Sequence, residues 1–347
     1  LEINREILKL ARDSRGLSQK DLSLKLGIKQ GTLSKIENEF LSIDDDLVER
    51  FATVLNYPIN FFYQKKDIHL ISGHYRKKIT LPQKEVRKQQ SKMTILEWHL
   101  EKMISSIELP EPNLPKWNCN FDGSPEICAN YIREFWKIPK GRIENLTKLI
   151  EDNGIVVIPM DLGKLDGLSV FSQSGIPVIF INKYVSGDRH RFNLAHELGH
   201  LIMHFAQKID ESRDIEDEAH LFASELLIPS REIKPHLVKI NIEKLAELKR
   251  YWKVSMQAIL VKSYKQLSLL TQNQYHYLWK QMSYLGYRKK EPVFIPVEKA
   301  QLVREIIDLH LNDLEYSKSE LSALLNITEG EFDKLYLNEN NNLRVLV

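Results

Sequence analysis

Through most of this chain apolar residues return every three to four positions, the period of a helix buried along one side. Arg5 to Ala11 opens the pattern. Ser18 then stands as an N-cap before QKDLSLKLG, with Asp21 three positions on, a variant of the capping box. Gly27 marks the end of that helix, where a tight turn needs a permissive backbone. A further helix is predicted from Gln30 through Leu33 and Ile36, and another on Leu47, Val48, Phe51, Val54 and Leu55. An amphipathic helix is expected around Val86 to Ile107, and the prolines of LPEPNLP (109–115) mark a boundary after it. Beyond lie PEICANYIREFWKI (125–138) and IENLTKLIEDNG (143–154), whose Gly154 suits a C-cap. The period then changes. IVVIP (155–159), GLSVFS (167–172) and PVIFIN (177–182) are rich in β-branched and aromatic residues and predict three short strands. Helical spacing resumes and persists through 243–267 and 317–336. The fold class expected is α+β, mainly helical, with one small sheet.

The candidate chemistry lies just after the strands. Arg191 to His204 reads RFNLAHELGHLIMH and contains His196-Glu197-Leu198-Gly199-His200. Histidines four apart on a helix project from one face about one turn apart, so both imidazoles can reach one zinc ion. Glu197 follows the first histidine, where zinc peptidases of this pattern place the group that takes a proton from the metal's water. Leu194, Leu198, Leu201, Ile202 and Phe205 supply an apolar stripe that can hold such a helix rigidly. A zinc site needs a third protein ligand and an open position. Ile215 to Pro229, IEDEAHLFASELLIP, offers Glu216, Glu218 and His220.

RFNLAHELGHLIMH followed by E-x-x-A-x-x-FA-x-x-LLIP resembles the ImmA/IrrE family of metallopeptidases. The resemblance implies zinc held by the two histidines and a glutamate on the second helix, and alignment on LLIP puts that glutamate at Glu216, with Glu218 as the runner-up. His220 stands where the family usually has asparagine, and three roles stay open: support to a ligand, a fourth ligand that closes the site, or a partly solvated helix residue. His204, one turn past His200, is read as support or packing. The resemblance also implies a zincin-like core in which the sheet packs on the H-E-x-x-H helix and its edge strand can hold a substrate backbone. Tyr184, after Asn182, is a candidate oxyanion donor, with packing or surface placement the simpler role.

Gln19, Leu22, Ser23, Leu26, Gly27, Ile28, Leu33, Ile36 and Glu37 together resemble a Cro/XRE-type helix-turn-helix, which implies a five-helix bundle. By that resemblance Gln19 and Ser34 touch DNA backbone, while Gln30, Thr32 and Lys35 reach base edges in the major groove. Charge agrees. Residues 5–35 carry eight Lys/Arg against three Asp/Glu, whereas residues 36–63 carry one against six, so the basic half contains the reading helix. The stretch 64–92 is basic again, and HYRKKITL (74–81) is read as a solvated connector rather than a further DNA contact.

Composition narrows the remaining classes. At 347 residues and 28% charged the chain suits two or three ordinary soluble domains. It has no apolar run long enough for a membrane span and no visible signal peptide. Two cysteines, Cys119 and Cys128, give no disulfide framework, which fits a cytoplasmic location. The net charge of +2 makes any nucleic-acid face local. EKLAELKRYWKVSMQAILVKSYKQL (243–267) resembles the helix-turn-helix-like region that follows the peptidase core in the family. SKSELSALLNITEGEFDKLY (317–336) has a similar cadence, a helix, a turn near Asn326-Ile327 and a helix, but its acidic residues argue against phosphate contact, so it is read as a packing or partner module. NENNN (338–342) reads as a loop or loose tail.

The expected organisation is a DNA-binding domain (1–66), a basic connector with a linker helix (67–115), a zincin-like core (116–235) and a helical C-terminal region (236–347). The expected function is a DNA-binding regulator fused to a zinc endopeptidase. Zn2+ is held one per chain by His196, His200 and Glu216, with Mn2+ or Fe2+ also compatible, and Glu197 is the proton carrier. Expected partners are double-stranded DNA, a protein substrate such as a repressor or a toxin–antitoxin component, and a second copy of the chain. The competing expectation is a non-enzymatic transcription factor whose zincin-like domain is a sensor or structural metal site, favoured if His220 completes the coordination.

Overall fold

The computed structural model describes residues 3–65, 68–71, 82–205 and 212–337. HYRKKITL and NENNN lie outside the described residues. The chain divides into two compact units, one of Leu1–Leu109, Ser172–Ser174 and Val303–Val347, the other of Pro110–Phe171 and Gly175–Leu302. The C-terminal region taken as one piece in the sequence thus contributes to both. Among the described residues no helix is long and apolar enough to cross a membrane.

In the first unit α1 (Arg5–Ser14), α2 (Gln19–Leu26), α3 (Gln30–Glu37) and α4 (Asp45–Leu55) form the expected bundle. Its fifth member is a five-residue 3-10 turn, Ile59–Tyr63, which follows Pro58 and buries Phe61 and Phe62. The capping box is present: the Ser18 Oγ accepts from the Asp21 N–H at 3.1 Å, and Asp21 accepts from the Ser18 N–H at 2.8 Å. Gly27 closes α2 at φ 66°, the left-handed cap that a side chain disfavours. Ile7, Leu22, Leu26, Leu33, Ile36 and Phe51 build the core together with Trp98 of the long helix α5 (Gln83–Ile104).

In the second unit α6 (Pro125–Phe135) and α7 (Leu146–Asp152) precede the sheet. Its strands are β1 (Val156–Met160), β2 (Gly167–Phe171) and β3 (Pro177–Asn182), in the order β1-β3-β2. The central β3 runs parallel to β1 and antiparallel to β2, and all six of its residues are buried. That burial on both faces explains why PVIFIN is a continuous apolar run rather than an alternating one. Two helices follow, α8 (Gly187–Met203) and α9 (Ile215–Leu227), then α10 (Ser230–Ile233), α11 (Ile242–Trp252), α12 (Met256–Val261) and α13 (Gln272–Tyr284).

Among the described residues, three buried cations with carboxylate partners pin this unit. Lys262 pairs with Glu225 of α9 at 2.7 Å. Lys249 of α11 lies between Asp188 at 2.7 Å and Glu291 at 2.8 Å. Arg191 of α8 pairs with Glu298 and donates to the Ile143 carbonyl. Removing one partner of such a pair strands a charge in the interior and costs about 3–5 kcal/mol.

Candidate metal centre and nucleic-acid interface

Helix α8 carries His196, Glu197, His200 and His204, and α9 carries Glu216 and Glu218. The two helices approach closely because position 199 is glycine: a Cβ there would lie 2.9 Å from the Phe222 ring. Phe222 is fully buried at that crossing, a contribution of about 1.5–3 kcal/mol. The close approach brings the start of α9 over the histidines.

The His196 and His200 Nε2 atoms stand 3.1 Å apart, and each lies 3.6 Å from an oxygen of Glu216. Three ligand atoms thus converge within 4.8 Å of one another. Two imidazole nitrogens and a carboxylate so close together are a donor set that could hold a divalent metal ion. Glu218 goes elsewhere. It accepts from His204 Nε2 at 3.0 Å and from Arg213 Nε at 2.7 Å. His204 in turn meets His200, Nδ1 to Nδ1, at 2.8 Å. If His200 offers its Nε2 lone pair, its Nδ1–H donates to His204, whose proton then sits on Nε2 and faces Glu218. That assignment satisfies every contact along the relay from His200 to Glu218. His220 is exposed, with its Nδ1 2.6 Å from the Glu216 carbonyl oxygen and its ring centroid 4.5 Å from that of His196.

Glu197 is buried against β2 and accepts from the Ser169 hydroxyl at 2.8 Å. Burial pushes its carboxyl above the ordinary range, against the opposing pull of His196 and of the Ser169 hydrogen bonds. Gly167, two residues from Ser169 on the same face of the strand, leaves the room: a Cβ there would come within 3.0 Å of Glu197 Cγ. Neither Gly167 nor Ser169 emerges from reading the sequence, although the period-2 alternation of GLSVFS places both on one face. Asn182 is a structural tie whose amide donates to the Gly163 and Leu165 carbonyls. Tyr184 lies largely in solvent beneath Lys183.

On the other unit, Gln30 and Lys35 of α3 are exposed, while Thr32 and Ser34 are half-buried. The Gln19 amide is occupied at both ends: it donates to Glu37 at 2.8 Å and accepts from Gln30 at 2.9 Å. Glu37 is itself buried and held by Arg12 at 2.6 Å. The start of α3 is therefore fixed to α2 and α1 before any ligand arrives.

Comparison with known families gives one match in each unit. Residues 150–264 match the model of the IrrE N-terminal-like domain, a peptidase family, and residues 8–62 match a helix-turn-helix model. Comparison with curated proteins returns no match. The first match spans the sheet, the H-E-x-x-H helix and α9; the second spans α2, α3 and α4. The two matches fall in the order of an ImmA/IrrE-type fusion: a segment similar to helix-turn-helix domains is followed by one similar to the IrrE N-terminal-like peptidase domain.

Proposed function

We propose that this protein is a cytoplasmic DNA-binding regulator that also cleaves a regulatory protein, a repressor or a toxin–antitoxin partner, with one zinc ion per chain. The observation that carries the reading is the convergence of His196, His200 and Glu216 beside the buried carboxyl of Glu197. Zinc bound by these three would activate a water and polarise a peptide carbonyl. Glu197 takes the proton and hands it to the leaving amine. Ser169 aims the Glu197 carboxyl, and Gly167 keeps the approach to it open. His204 and Glu218 keep His200 in the tautomer that leaves Nε2 free for the metal. Among the described residues β2 pairs with β3 alone, and its other edge is where an extended substrate segment would add. In the other unit Gln30 and Lys35 reach base edges, Thr32 joins them, and Gln19 and Ser34 address the phosphate backbone.

Native mass spectrometry of wild type, His196→Ala and Glu216→Ala tests the site. One zinc per chain, lost in both variants, is the expected result. A zinc-loaded wild type with four protein ligands, His220 among them, would replace the peptidase reading with that of a structural or sensory metal site.

A further inference from the structure

We infer that residues 304–336 are a second copy of the helix-turn-helix unit of residues 5–37, and that this copy docks on the first copy rather than on DNA. The helix-turn-helix match covers only residues 8–62.

The two segments align without insertion or deletion, and 11 of the 33 paired positions are identical. REI opens both, as Arg5-Glu6-Ile7 and Arg304-Glu305-Ile306. Helix α1 corresponds to α14 (Leu302–Asn312), α2 to α15 (Lys318–Leu325), and α3 to α16 (Glu329–Phe332) with the π-helical turn Asp333–Leu337. Local structure repeats as well. Ser317 and Glu320 form a capping box, as Ser18 and Asp21 do. Asn326 closes α15 in the left-handed region at φ 55°, where Gly27 closes α2, and asparagine is the residue that best tolerates that conformation after glycine. The Ile327 N–H bonds the Ser322 carbonyl just as the Ile28 N–H bonds that of Ser23. Leu321, Leu325 and Phe332 are buried at the positions of Leu22, Leu26 and Leu33.

The surfaces have diverged. Gln30, Thr32 and Ser34 of the first copy are replaced by Glu329, Glu331 and Asp333. Three carboxylates on one short helix repel phosphates. Gln19, which bonds Gln30 in the first copy, becomes Lys318, which lies 3.4 Å from Glu329 and 3.2 Å from Asp333. The contact between the two helices is conserved in position and converted to ion pairs.

The third carboxylate points at the first copy. Glu331 pairs with Arg15 at 2.8 Å and accepts from the Asn56 amide at 3.3 Å. The same guanidinium donates to the Leu55 and Asn56 carbonyls at the end of α4 and lies over the Tyr57 ring. Helix α5 braces the second copy further, through His99 with Tyr336 at 2.7 Å and Lys102 with the Leu324 carbonyl at 2.7 Å. The would-be reading helix of the second copy therefore serves as a protein-binding face, and its partner is the exit of α1 and α4 in the first.

Two experiments on the full chain test this. The first rests on the reading head proposed above and uses fluorescence anisotropy with a labelled mixed-sequence DNA duplex. Lys35→Glu should weaken binding about tenfold, and Lys334→Glu, at the paired position, less than about twofold. Equal losses would show that the second copy binds DNA and overturn the inference; no loss in Lys35→Glu would overturn the reading head instead. The second is independent of DNA. Arg15→Glu and Glu331→Arg should each lower the melting temperature by about 2–4 °C, and combining them should recover part of the loss. Simple addition of the two losses would overturn the docking. Should Arg15→Glu not fold, hydrogen exchange of Glu331→Arg alone decides: faster exchange through α14–α16 supports the docking, and unchanged exchange overturns it.

Discussion

Two clusters of metal-binding residue types sit side by side on α8 and α9, and they differ in what is already satisfied. His196, His200 and Glu216 converge with their acceptor atoms facing one another. Cys119, His204 and Glu218 gather as closely, yet Glu218 is already paired with Arg213 through one carboxylate oxygen and with His204 through the other. Burial also pushes the Cys119 thiol up, against the pull of Arg213. Residue type and proximity alone therefore do not tell the two apart. In the second, Arg213 sits on the carboxylate; in the first, two imidazole nitrogens and a carboxylate face one another. The second cluster is tied to the first through the contact of His204 with His200.

Variants can break or sharpen that contrast. The largest effect is expected from Glu197→Gln, which should keep metal and DNA binding and lower peptide cleavage by about 10²–10⁴-fold, the usual worth of a positioned proton carrier. Cleavage at the wild-type rate would remove Glu197 from the mechanism. His196→Ala should weaken zinc binding by roughly a hundred- to a thousandfold, about a quarter of the 10–16 kcal/mol a zinc site provides, read by chelator competition. His204→Ala removes the support of His200 and should cost about 10–100-fold in zinc affinity by the same assay, leaving one metal per chain. A second zinc lost in that variant would show that the Cys119 cluster binds metal after all. Smallest of all, Cys119→Ser should change melting and zinc affinity within about 0.5 kcal/mol.

Much of this was legible from the chain. Period and caps gave the helices of the first unit, because Ser18, Asp21 and Gly27 act locally and need no tertiary partner. The strands were legible from β-branched runs, and their order was not, since pairing β1 with β3 depends on what packs above them. H-E-x-x-H placed two histidines on one face, and the structure brings their Nε2 atoms within 3.1 Å. The choice between Glu216 and Glu218 lay beyond spacing: two residues apart on α9, they point to different clusters, and only the angle at which α9 crosses α8 over Gly199 separates them. Ser169 and Gly167 were missed because they lie 28 and 30 residues before Glu197 and carry no motif of their own. The fifth helix of the bundle shortened to a 3-10 turn, as INFFY commits two adjacent phenylalanines to the core, which a longer helix would spread around its circumference.

The buried lysine at position 249 has a practical consequence for where this protein can be cut. Its two counter-charges, Asp188 and Glu291, lie on either side of residue 264, where the peptidase-family match ends. Glu298, the partner of Arg191, lies beyond it too. A fragment trimmed to the family boundary would leave Lys249 half-neutralised and Arg191 without its carboxylate, both in the interior. The shortest self-sufficient catalytic fragment therefore extends through Glu298, and expression trials that stop at 264 should yield insoluble protein.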